Sequence, residues 1–170
     1  VVIENLGLSL AYWLHMLATV AWIGGLAAMS LFVIPAARRT LDGETYARFL
    51  GTVQGTLQRI GWFSLAILIG TGLFQLSANP SYEGFLAINT PWAMAIFTKH
   101  MVIGGMVLSS AYITWVINPR LQRLALLRAA GKEIDAGQMA DLRRREAVAL
   151  RINLWLSVLI LLLTALARAA

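Results

Sequence analysis

An all-α membrane protein, a bundle of four transmembrane helices, is the fold expected from this chain, and the spacing of its charges is the first reason. Of 170 residues, 59% are hydrophobic and 13% charged, against roughly 45–50% and about 25% in a soluble domain. Segments 5–37, 60–82, 100–119 and 152–167 contain no Asp, Glu, Lys or Arg. A bilayer core takes about 20 apolar residues of helix. Three of the segments have that length, and the fourth gains it if Arg151 and Arg168 snorkel outward at its two ends. Four such helices leave no room for a dinucleotide fold or a large extramembrane catalytic domain, so a single membrane domain, 1–170, is expected, with the lipid bilayer as its surroundings. Val1 is not a start methionine, and no targeting signal is read from that end.

The expected helices span approximately 8–34, 57–77, 92–118 and 149–168, with cytoplasmic helical extensions at 42–56 and 119–148. Asp42 can cap the first extension, which carries Tyr46, Phe49 and Val53. Arg120 to Ala130 continues helix 3 with Leu121, Leu124 and Leu127 on one stripe. Gly131 suits its C-cap, and Asp135 can start a helix that runs through Leu142 into helix 4.

Orientation follows from the bases. Twelve of the fourteen lie in two segments, Arg38 to Arg59 and Arg120 to Arg151, which are therefore expected in the cytoplasm. The connection from Ser77 to Pro91 carries one charge, Glu83, and is placed outside with both termini. Tyr12, Trp13, Tyr82 and Trp92 fall near the outer boundary, and Trp62, Trp115 and Trp155 near the inner one. The net charge of +6 is thus a topology signal, and no nucleic-acid partner is expected, because the bases flank helices and alternate with acids. The expected location is a bacterial inner membrane.

Two tandem two-helix repeats are expected within the bundle. His15-Met16 followed by Pro35 and Arg39 matches His100-Met101 followed by Pro119 and Arg123, at offsets of 85 for the histidines and 84 for the prolines. Trp62-Phe63-Ser64 and Thr71 match Trp155-Leu156-Ser157 and Thr164 at a constant offset of 93. Each unit crosses twice, so the copies share an orientation and a pseudo-twofold axis along the membrane normal.

The absence of cysteine removes disulfides, iron–sulfur clusters, thiolate zinc sites and covalent haem attachment. The remaining soft or nitrogen ligands are two histidines and six methionines. His15 and His100 come at matching depths on parallel helices, about 10 and 13 Å at 1.5 Å per residue. Paired neutral imidazoles suit the axial positions of a haem b, while interhelical hydrogen bonding or a protonic role is the plainer alternative. Trp22, seven residues after His15, shares its face. Gly104 shares the face of His100. Gly24, Gly25, Gly70, Gly72 and Gly105 leave further room for a flat macrocycle or for close helix packing. Lys99 can pair with a haem propionate or snorkel outward. A haem so held would stand perpendicular to the membrane with its propionates outward. Met16 and Met101 beside the histidines raise copper as the alternative metal, although adjacent helical residues point about 100° apart. Asn153 requires an interhelical partner.

The residues Leu14-His15-Met16 through Trp22-Ile23-Gly24-Gly25, Thr71-Gly72, Lys99-His100, Pro119-Arg120 and Arg151-x-Asn153 together resemble the membrane domain of the copper-resistance protein D (CopD) family. More distantly they are similar to the HemJ-type membrane protoporphyrinogen oxidases. The resemblance implies a four-helix membrane bundle. Its HemJ branch implies functional roles for His15 and Lys99 in association with haem b, and its CopD branch implies copper uptake. HemJ-like chains tend to carry a Tyr-His pair late in helix 3, where this chain has Ser109, Ser110 and Tyr112. The expected function is therefore an integral membrane haem b protein with His15 and His100 as ligands, transferring electrons from a quinol or outer-side donor to an acceptor, with other membrane subunits as candidate partners. The alternatives are CopD-like copper transport and a cofactor-free structural subunit.

Overall fold

The computed structural model describes residues 2–80, 82, 84 and 88–169. Glu83, the one charge expected in the outer connection, lies outside them. The described residues form no strand. Four long helices are each apolar enough to cross a membrane, and the chain is a multi-pass membrane protein.

Helix 1 runs Val2–Ala28, widens into a π turn at Met29–Val33 and continues as Ile34–Thr40. Helix 2 is Gly43–Ser77. Helix 3 runs Pro91–Tyr112, widens at Ile113–Ile117 and continues as Asn118–Ala129. Helix 4 is Ala136–Ala169. Helices 2, 3 and 4 carry their arginine-bearing ends well beyond the charge-free segments 60–82, 100–119 and 152–167.

The helix ends follow from local chemistry. The backbone N–H of Thr45 donates to Asp42 Oδ1 at 3.0 Å, so Asp42 caps helix 2. Thr90 Oγ1 accepts from the Ala93 N–H at 3.1 Å, and Pro91 follows where its missing N–H does no harm. Helix 3 ends when Gly131 takes φ +73°. There the Lys132 N–H bonds Leu127 O and the Gly131 N–H bonds Arg128 O, the paired closure that a left-handed glycine allows.

The two π turns share a cause. Pro35 and Pro119 lack an N–H, and each ring crowds the carbonyl four residues earlier. The helix widens just ahead of each: the Ile34 N–H reaches back to Met29 O, and the Asn118 N–H to Ile113 O. The turns begin 84 residues apart, the spacing of the prolines.

Helix 1 packs along helix 2 and helix 3 along helix 4, and the two hairpins meet where helix 1 and its π turn lie against helix 4. At mid-height Trp22, Leu65, Met106 and Ile160 form a core drawn from all four helices. A second core of Ile113, Ile117, Leu121, Leu124, Leu142, Ala149 and Leu150 joins helices 3 and 4 near the arginine-rich ends. The outside of the bundle is apolar, with Leu6, Val20, Phe63, Leu108 and Trp155 at least 70% exposed, while Ser64, Glu146, Asn153 and Ser157 are buried inside. That distribution matches a hydrocarbon solvent, which rewards apolar surface and drives polar groups to seek one another.

Candidate functional site

The seven-residue step from His15 to Trp22 puts both on the inward face of helix 1, where the imidazole is half-buried and Trp22 is 8% exposed. His15 Nδ1 lies 2.8 Å from Thr71 Oγ1 of helix 2. The hydroxyl proton of Thr71 is already committed to Ile67 O at 2.6 Å. Thr71 can therefore only accept from the imidazole, so Nδ1 carries the ring proton and Nε2 the lone pair. Gly72 lies against the same ring: a Cβ there would stand in contact with His15 Cε1 at 3.4 Å. Gln75, one turn further along helix 2, donates from Nε2 to Ala11 O at 3.2 Å and ties the same two helices.

His100, half-buried on helix 3, places Nδ1 2.7 Å from Ile96 O. A carbonyl can only accept, so this ring also carries its proton on Nδ1. The halves differ in how they hold the histidine. Thr164 donates to Ile160 O at 2.8 Å, as Thr71 does to Ile67, yet His100 bonds its own helix instead.

Lys99, next to His100 on helix 3, is half-buried. Gly104, one turn from His100, is exposed on the outside of the bundle, with nothing within 4 Å of a Cβ built on it. Trp22 turns its indole to Gly61, whose Cβ position lies 3.5 Å from Trp22 Cδ1. The expected site residues thus divide. His15 and Trp22 face the interior of the bundle, Lys99 is half-buried on helix 3, and Gly104 lies on the exposed outside.

The methionines next to the histidines point elsewhere. Met16 is 66% and Met101 53% exposed on the outside of the bundle, as the 100° step between helical neighbours requires. Among the described residues no group of three or more His, Asp or Glu gathers as a metal cage.

No family model, curated protein or solved structure matches the chain.

Polar groups that composition could not place gather nearer the arginine-rich ends. Asn153 donates from Nδ2 to Ser110 Oγ at 3.0 Å, which supplies its interhelical partner on helix 3. Gln54 of helix 2 donates to Glu146 Oε1 of helix 4 at 2.6 Å, and Arg143 pairs with Glu146 Oε2 at 3.1 Å. This buried carboxylate is a tie between the hairpins. Its only sequence signal is an acid within an arginine run, which reads equally well as a solvated helix face. Trp62 and Trp115, assigned to one membrane boundary by sequence, stack with ring centroids 5.2 Å apart.

Proposed function

We propose that the chain is an integral membrane haem b protein in which His15 and His100 supply the axial imidazoles, and that it passes electrons from a quinol or an outer-side donor to an acceptor. The observation that carries this reading is the hydrogen bonding of the two rings. Each holds its proton on Nδ1 against a fixed acceptor, which leaves Nε2 as the lone-pair nitrogen. A metal-binding histidine needs that tautomer and that kind of anchored N–H. A charged imidazole would be costly inside the bilayer, so both rings are read as neutral. Bound haem would supply a one-electron couple, and two imidazole ligands suit electron transfer better than oxygen binding.

Lys99, next to His100, offers a cation for a propionate, while Gly104, a turn from His100, lies on the exposed outside of the bundle. The exposed positions of Met16 and Met101 favour haem over the CopD-like copper reading, since a Cu(I) site would draw thioether and imidazole together. The resemblance to the HemJ-type family supports the same assignment of His15 and Lys99. The equal spacing of the π turns and prolines supports a duplicated two-helix unit. In this reading the arginine-rich ends face the cytoplasm of a bacterial inner membrane and both termini face outside.

The test is the absorption spectrum of the detergent-extracted protein. A low-spin haem b spectrum is expected, lost in His15→Ala and in His100→Ala while circular dichroism keeps the helices. An unchanged bis-imidazole spectrum in both variants, or haem-free wild-type protein from haem-replete cells, overturns the assignment.

A further inference from the structure

A cavity of about 110 Å³ lies between the two hairpins, on the arginine-rich side of the histidines. One of its wall residues, Trp22, lies seven residues or roughly 10 Å along helix 1 from His15. Most of the lining is apolar. Trp22 and Trp62 present flat indoles, and Gln58, Thr114, Asn118 and Asn153 bring polar groups. An apolar, aromatic-walled hollow with a few convergent polar groups is the form of a small-molecule site. Both π turns border it, through Met29 and Ile113, and such wide turns occur often beside functional sites.

Asn153 is the decisive group. Its side chain is fully buried at 0% exposure, yet Oδ1 has no hydrogen-bond partner while Nδ2 is held by Ser110. Turning the amide over would let Oδ1 take the Ser110 hydroxyl and leave Nδ2 unmatched instead. In either orientation one polar amide atom lacks a partner, a cost of the kind that native proteins seldom leave standing. A ligand oxygen would meet it: a hydroxyl can donate to Oδ1, and a carbonyl can accept from Nδ2 after the turn.

Size and medium narrow the ligand. A cavity of about 150 Å³ holds benzene, so this hollow of about 110 Å³ is several times one water and admits no more than a single small ring between its walls. A ligand arriving through the bilayer must be apolar overall. We propose that the cavity binds the headgroup of a quinone or its hydroquinone, with the ring beside the Trp22 and Trp62 indoles and one ring oxygen on the Asn153 amide. The site rests on the cavity and the unmatched amide and stands whether or not haem is bound, while the choice of a quinone as its occupant rests on the electron-transfer reading above.

Calorimetric titration of decylubiquinone into the full chain in detergent tests this without reference to haem. One saturable site is expected in the wild type. Asn153→Leu, which removes both amide atoms, should weaken it about tenfold. Ala21→Phe, which fills the cavity from helix 1, should abolish it. Leu161→Phe, on the lipid-facing side of helix 4, should leave it unchanged. If Asn153→Leu does not fold, Ala21→Phe with a wild-type melting profile decides alone. The proposal is overturned by the absence of saturable binding in the wild type, by undiminished binding in folded Ala21→Phe, or by a structure grown with the quinone in which ordered waters fill the cavity.

Discussion

The His15 imidazole and the Thr71 hydroxyl, 2.8 Å apart across helices 1 and 2, determine each other's proton positions. Thr71 donates backward to Ile67 O, so it accepts from Nδ1 and turns the lone pair of the ring to Nε2. One threonine thereby sets the chemical state of an imidazole that its own helix does not restrain.

Thr71→Val should leave Nδ1–H without an acceptor and cost about 1 kcal/mol, the upper scale of interhelical hydrogen bonds in membranes. Thr71→Ser should retain most of that stability. Thermal unfolding in detergent measures both, and equal melting of Val and Ser variants would show that the bond contributes nothing.

Gly72 leaves room for the same ring. With 3.4 Å available to His15 Cε1, Gly72→Ala should be tolerated, helped by the better helix propensity of alanine, about 1 kcal/mol. Gly72→Leu should force the ring aside and destabilise by about 1–3 kcal/mol. Two-dimensional NMR of labelled histidine should show a shifted His15 signal in the leucine variant and a wild-type signal in the alanine variant.

Lys99 distinguishes a cofactor role from simple anchoring. On the haem reading Lys99→Met lowers haem occupancy several-fold, about 1 kcal/mol or more of lost pairing, while Lys99→Arg preserves it. Pyridine haemochrome quantification of the purified variants reads this directly. Full occupancy in Lys99→Met would assign the lysine to the interface alone.

The paired replacement Met16→Leu and Met101→Leu addresses copper. Both side chains face outward, so copper content and copper-dependent growth should match the wild type. Loss of stoichiometric copper in the double variant would favour the transport reading.

Glu146 joins Gln54 of helix 2 to helix 4 and also holds Arg143. Glu146→Ala should cost about 2 kcal/mol, the scale of a hydrogen bond to a charged group, because a 4% exposed carboxylate leaves its partners few routes to water. Chemical denaturation in detergent tests it, with Glu133→Ala, on an exposed connection, as the neutral comparison.

The four helices, their caps and their lipid-facing surface were legible along the chain, because in a bilayer every backbone polar group must be satisfied within its own segment and apolar length alone selects the spans. Asp42, Gly131 and the Pro35 and Pro119 positions act through neighbours a few residues away, so reading in one dimension is enough for them. The pairing of His15 with Trp22 on one face was equally accessible from the helical repeat.

The candidate site was legible only in part. Sequence marks His15, His100 and Lys99 as rare intramembrane groups, but it does not show that Thr71 accepts from one imidazole while Ile96 O accepts from the other, although Thr71 and Thr164 align. Nor does it bring Glu146 to Gln54 or leave Asn153 Oδ1 without a partner at the edge of a cavity. These depend on how the hairpins rotate and slide against each other, a choice made by side-chain packing at mid-height around Trp22 and Met106. Local chemistry thus determined which groups enter the membrane. The tertiary structure decided which of them meet, because in a lipid solvent the hydrophobic effect no longer orients helices, and close packing with polar satisfaction does.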